Sequence, residues 1–407
     1  MKNKNTYSNS FLRPLTFSFT LLGVLLLTSC QSSNPAPGSG GPISPALQGN
    51  MQGFKENLSQ LLPIVIDSNQ FNAPQNHDLI DQEVDNLLKI SKQVVHNPQV
   101  QGKDPSLRFI STAFSEDLKR AKESLDAGKR EFARYTLLNV TAYCIECHTR
   151  SSSGPSFNSP LLEKTLQSLK PMEKGEYLLS TRQYDLAYKE FEKTIKDSLS
   201  SNGNLFDLDR AVRYALSISV KFQNDPKKAL EIAHLVAKSD KAPLYLRQSA
   251  QSWVKSIQLW KKEKSKKSTN VDEMLKHNEI LVKEGRSLQA GLSERGGDIY
   301  FLRALSELLT VLSRNNLTKD ELGDALYLTG ESYEAVRDLS IWSLHENYYE
   351  SCIREVPHTS WSEKCYGKLE ESIHFGYTGS SGLRLPADVQ AKLDELKKTA
   401  FSETEKK

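Results

Sequence analysis

Four stretches between residues 46 and 150 repeat one pattern: apolar residues three and four apart, closed by a stop signal. That spacing is the period of a helix with one buried face. The first stripe is Leu47, Met51, Phe54, Leu58, Leu61 and Val65, with Pro63 expected to bend or end it. The second starts near Asp78, carries Ile80, Val84, Leu87, Ser91 and Val94, and meets Pro98. The third opens on Asp104-Pro105, a capping residue followed by proline in the first helical position. It carries Leu107, Ile110, Phe114, Leu118, Ala121 and Leu125, and Gly128 closes it. The fourth spans about 129 to 148, with Ala133, Leu137, Val140, Cys144 and Cys147 on one face. Short connections between helices of similar length predict an antiparallel four-helix bundle over 46–150.

The fourth helix ends in Cys144-Ile145-Glu146-Cys147-His148. Two thiols three apart with histidine beside the second form the attachment pattern of a c-type haem. On a helix, positions i, i+3 and i+4 share a face, so both sulfurs can reach one porphyrin edge while His148 binds the iron. A zinc site wants about four N/S ligands, and no second Cys or His pair lies nearby. A thioredoxin-type pair wants a βαβ context, and this one follows a helical pattern. A disulfide within the pair leaves His148 without a role.

A haem motif on the last of four helices, with Arg150 just beyond it, resembles the cytochrome c-prime family and its low-spin relatives. The resemblance covers roughly residues 46 to 150 and is weak outside the motif. It implies thioether bonds at Cys144 and Cys147 and His148 as the proximal ligand of covalently attached haem c. In the family the sixth iron position is either open behind an apolar first-helix residue or filled by a first-helix methionine. Met51 stands on the inward stripe of the first helix. It is a candidate ligand or core filling, the usual fate of a methionine at helical spacing. His77 and His96 are its rivals.

The first 29 residues read as a signal peptide. Lys2, Lys4 and Arg13 precede an apolar run from Leu15 to Leu27, and Leu27-Thr28-Ser29-Cys30 follows. This resembles a bacterial lipoprotein signal, which implies lipidation at Cys30. The absence of Asp after Cys30 then implies sorting to the outer membrane, facing the periplasm. Residues 30–45, rich in Ser, Pro and Gly, form a flexible tether. Of five cysteines, one is thus assigned to lipid and two to haem. Cys352 and Cys365 remain, and export to an oxidising compartment favours a disulfide between them.

Ser151 to Pro160 marks a domain boundary. Beyond it, Gly175, Tyr184, Ala187 and Phe191 fall at spacings that resemble tetratricopeptide repeats. Asp225-Pro226 starts another such helix, Leu244 to Trp260 gives one more, and Gly330 and Tyr333 repeat the spacing. The expected architecture is all-α: the bundle, then a tetratricopeptide-like solenoid in two parts, 161–262 and 271–400. His374 to Gly382 reads as an ordered turn before the last helix, and the charged tail from Ser402 as disordered.

The net charge of +3 gives no reason to expect nucleic acid. No Ser/His/Asp pattern and no phosphate-binding Gly-Lys-Ser/Thr ending occur, so the sequence supports no enzyme. The expectation is a membrane-tethered c-type cytochrome for electron transfer or redox sensing. Its partner is a redox protein or another cell-envelope protein docked on the repeats. The alternatives are an envelope scaffold with structural haem, or a haem gas sensor.

Overall fold

Side-chain caps open several of the N-terminal helices. The computed structural model describes residues 43–102, 104–148, 157, 166–167, 169–200, 204–263, 268–289, 294–336, 343–380 and 382–401. Helix α1 (Pro45–Ile66) starts on Ser44, whose hydroxyl accepts from the Leu47 N–H. Pro63 does not end it. In the last turn its missing N–H removes a single helical bond, and the chain stays helical to Ile66. Asp67 then caps the short α2 (Ser68–Asn72), and a 3₁₀ turn at Pro74–Asn76 leads into α3 (His77–Val95). Asp104 accepts from the Ser106 N–H to open α4 (Pro105–Asp126). Gly128 turns the chain at φ 71° into α5 (Arg130–His148).

Neighbours in this set follow chain order: α1 packs on α3, α3 on α4, α4 on α5, and α5 returns to α1. Their directions alternate. Arg134, near the start of α5, donates to the Val65 and Ile66 carbonyls at the end of α1, at 2.8 and 2.7 Å. At the other end the Ser44 N–H donates to Gln99, just beyond α3. Leu58, Leu61, Val84, Leu87, Ile110, Leu118 and Leu137 are buried between these helices. Each contributes about 1.5–3 kcal/mol relative to exposure.

The remaining helices pair differently. They are α6 (Pro171–Ser180), α7 (Tyr184–Ser198), α8 (Leu205–Leu216), α9 (Pro226–Ala237), α10 (Leu244–Lys262), α11 (Val271–Ser287), α12 (Asp298–Leu312), α13 (Lys319–Ala335), α14 (Leu344–Glu355), α15 (Ser360–Tyr377) and α16 (Ala387–Ala400). A π-helical segment, Ser217–Phe222, extends α8. Packing is closest between consecutive helices: α6 and α7, α7 and α8, α9 and α10, α11 and α12, and α13 and α14. Three of these pairs share one device: a glycine on the first helix receives a ring from the second. A Cβ at Gly175 would stand 2.6 Å from Phe191, one at Gly285 2.8 Å from Phe301, and one at Gly330 would overlap Tyr349. Gly175 to Phe191 and Gly285 to Phe301 span the same sixteen positions.

The described residues are all-α except for one small antiparallel pairing, β1 (Thr378–Gly379) with β2 (Gly382–Leu383). His374 to Tyr377 continue α15 rather than forming a turn, and Gly382 makes the reversal at φ 89°. Cys352 on α14 and Cys365 on α15 lie with α-carbons 6.3 Å apart and their sulfurs bonded, within the range that a disulfide spans. The two sets of helices also touch. Helix α6 packs on α1 and α5, and α4 packs on α14 through Arg108–Glu355 and the rings of Phe109 and Tyr348. No helix among the described residues is long and apolar enough to cross a membrane. The run from Leu15 to Leu27, Cys30, Arg150 and the tail from Ser402 lie outside them.

Candidate functional site

The last turn of α5 carries Cys144, Cys147 and His148, all half-buried. Cys144 and Cys147 are thiols that pack at the edge of the apolar core, as do Leu47 and Met51. Burial pushes the Cys144 thiol up to about 11, with the Arg182 guanidinium pulling the other way. It is therefore a protonated thiol at neutral pH. Arg182 belongs to the turn between α6 and α7 and holds a left-handed φ of 61°. The Cys144 face of α5 thus looks toward α6: one turn earlier, Thr141 and Ser180 share a hydrogen bond of 3.0 Å.

Met51 lies at the same end of the helix set as this group. It precedes Val65 by fourteen residues, and His148 follows Arg134 by fourteen. From the Val65–Arg134 bond, antiparallel helices rising 1.5 Å per residue bring both to a level about 21 Å away, matched to roughly one turn. Gly53 meets the Ile90 side chain, which sets the register of α3. His96, six residues past Ile90, is exposed at this same end. His77, thirteen residues before Ile90, is about 20 Å along the axis toward the other end. Its Nε2 is buried with no hydrogen-bond partner.

The interior beside the motif is aromatic. Phe54 of α1, Phe114 of α4 and Tyr143 of α5 stack edge to face, with centroids 5.3 and 6.2 Å apart. The Tyr143 hydroxyl donates to Asp117 at 2.7 Å, and Arg120 pairs with the same carboxylate. Burial pushes Tyr143 up to about 12, so it remains a donor.

One of the two residues between the cysteines has a role that spacing does not reveal. Glu146 is fully buried, and Lys221 Nζ donates to its Oε1 at 2.6 Å, with both side chains 0% exposed. Lys221 also donates to the Tyr333 hydroxyl at 2.9 Å, and that hydroxyl donates to Glu146 Oε2. The rings of Phe222 and Tyr333 flank the ammonium, 5.2 and 4.8 Å from it. Lys221 comes from the π-helical segment and Tyr333 from α13. The only trace of this in the sequence is a single lysine inside the apolar run Ile218–Phe222.

The donor set suits a covalently held porphyrin: two thiols, an imidazole and a thioether at one end of a helix set, beside apolar side chains. A bare metal ion has no such set, since no group of three or more His, Cys, Asp or Glu among the described residues can hold one. Haem iron brings four ring nitrogens and takes only axial ligands from the protein. Comparison with known proteins gives no match: no family model fits the chain, and no curated protein or solved structure is similar to it.

Proposed function

We propose that the chain is a lipid-anchored c-type cytochrome of the bacterial cell envelope, for electron transfer or redox sensing. In this reading the N-terminal helices are a haem bundle of cytochrome c-prime type. The later helices are a tetratricopeptide-like solenoid that docks a redox protein or another envelope protein. The single observation that carries the proposal is Cys144-Ile145-Glu146-Cys147-His148 at the end of α5, with Met51 at the matching level of α1.

The attached group supplies a one-electron iron couple. Cys144 and Cys147 hold it as thioethers. His148 would bind the iron through a ring nitrogen, and Met51 would offer a thioether, which favours ferrous iron. Leu47 and the core edge exclude water, which also tunes the potential. Cys30 tethers the body to the outer membrane through the Ser-, Pro- and Gly-rich sequence that follows it.

A visible spectrum and an intact mass of the natively matured protein, in both redox states, test this reading. One covalent haem and a low-spin spectrum are expected. Met51→Ala should keep the haem, turn the spectrum high-spin and bind carbon monoxide. A wild-type protein without covalent haem overturns the proposal. A wild-type protein already high-spin and open to carbon monoxide removes Met51 as ligand and moves the gas-sensor reading ahead of electron transfer.

A further inference from the structure

Glu146 sits two residues after Cys144, one before Cys147 and two before His148. At about 100° per residue, Cys144 and His148 each stand about 160° from Glu146 around the helix, and so within about 40° of each other. Fixing the direction of Glu146 therefore fixes the opposite face, the one that carries the first thiol and the imidazole. Two further bonds hold the turns just before it, Tyr143 to Asp117 on α4 and Thr141 to Ser180 on α6. Neither reaches the last turn. There Glu146 is held by Lys221 and Tyr333, 75 and 187 residues further along the chain.

A fully buried ion pair is not a cheap way to hold a helix. Desolvation of two charges consumes most of their attraction, and an apolar pair of similar volume is often as stable. Its advantage is direction, because an ammonium flanked by two rings and shared between a carboxylate and a phenol tolerates one arrangement. The π-helical geometry of Ser217–Phe222 belongs to the same design. One extra residue per turn re-aims a side chain, and such segments concentrate at functional sites.

We propose that Lys221 and Tyr333 are positioning residues for the Cys144, Cys147 and His148 group, acting through Glu146, so that the later helices form part of the cofactor site. The proposal rests on the haem reading for its functional meaning and on the geometry of α5 for its mechanism. The two can be tested apart.

The experiment uses full-length, natively matured protein in three forms: wild type, Tyr333→Phe, and the double variant Glu146→Gln with Lys221→Met. The double variant removes both charges together and leaves neither buried alone; Tyr333→Phe removes one hydroxyl and guards against a double variant that fails to fold. Backbone hydrogen exchange over 140–148 is read first. A loss of protection of at least tenfold there, with α1, α3 and α4 unchanged, is expected. The midpoint potential is read next, with a shift expected that corresponds to a tenfold change in the oxidised-to-reduced ratio, about 59 mV for one electron. Folded variants with unchanged protection over 140–148 overturn the proposal. Lost protection with an unchanged potential and spectrum also overturns it, because the contact then only holds the fold. If wild type carries no haem, the functional reading falls. The proposal is then decided by alkylation of Cys144 and Cys147, where a rate equal to wild type in the folded variants overturns it.

Discussion

The helices before and after residue 150 solve the same packing problem by different means. In the first set, bulky side chains fill a shared interior: Phe54, Phe114 and Tyr143 meet edge to face above a layer of leucine, isoleucine and valine. In the second set, pairs of helices close on one another where a glycine lets a ring reach backbone, as at Gly175–Phe191, Gly285–Phe301 and Gly330–Tyr349. A filled interior is damaged by removing volume. A close approach is damaged by adding it. The two regions should therefore respond to opposite kinds of substitution.

The largest effect is expected in the filled interior. Phe114→Ala removes the middle ring of three, at a cost of about 3–5 kcal/mol, read as a lower denaturation midpoint. A cost under about 1 kcal/mol would mean that the interior near the motif is loosely packed. Next comes the link between α14 and α15. Cys365→Ser opens a short loop, thirteen positions from Cys352, and should cost about 2–3 kcal/mol. Two titratable thiols in the unreduced, unfolded wild type, beyond any at Cys144 and Cys147, would exclude the bond.

Alanine at glycine sharpens the contrast. In a helix the exchange gains up to about 1 kcal/mol of propensity, whereas overpacking costs about 1–3 kcal/mol. At Gly49 of α1 nothing stands within 4 Å of a new Cβ, so the gain should appear alone. At Gly175 the new Cβ meets Phe191, which is fully buried and has no room to retreat, so the loss should win. Equal shifts in melting temperature for the two variants would refute the close-approach account.

How much of this was legible in the sequence follows from the same distinction. The α1, α3, α4 and α5 stripes and the Asp104 and Gly128 boundaries were readable because caps and apolar periods are local. Gly175 and Phe191 were readable as small and aromatic residues at repeat-like spacing, but their direct contact came only with the structure. The short α2 and the continuation past Pro63 were missed, because proline in a last turn gives the same local signal whether the helix ends or not. The Glu146–Lys221–Tyr333 contact was out of reach. It joins residues 75 and 187 positions apart, and one of them looks like a spacer between cysteines.

Two buried carboxylates of the protein meet opposite surroundings. Glu146, at the junction, has an ammonium and a phenol as partners. Asp324, within α13, is 8% exposed, and its Oδ1 has no hydrogen-bond partner. Burial first, then the charges of Glu279 on α11 and Asp320 on α13, push its pKa up to about 7, against a weaker pull from Lys364 on α15. The unfolded chain releases this proton near pH 4. Between about pH 4 and 7 the folded state thus binds more protons than the unfolded state, and stability falls as pH rises. The favourable contribution is complete below about pH 4 and is lost as pH climbs through 7. Asp324→Asn has no charge to bury, so its stability should not follow that slope. Above pH 7 the variant should be more stable than wild type, because it buries an uncharged amide where wild type buries an unpaired charge, and near pH 4 the two should converge. Urea unfolding of both proteins at pH 4.5, 6 and 8 reads this directly. Parallel stability curves across that range would show that Asp324 already has a partner when ionised.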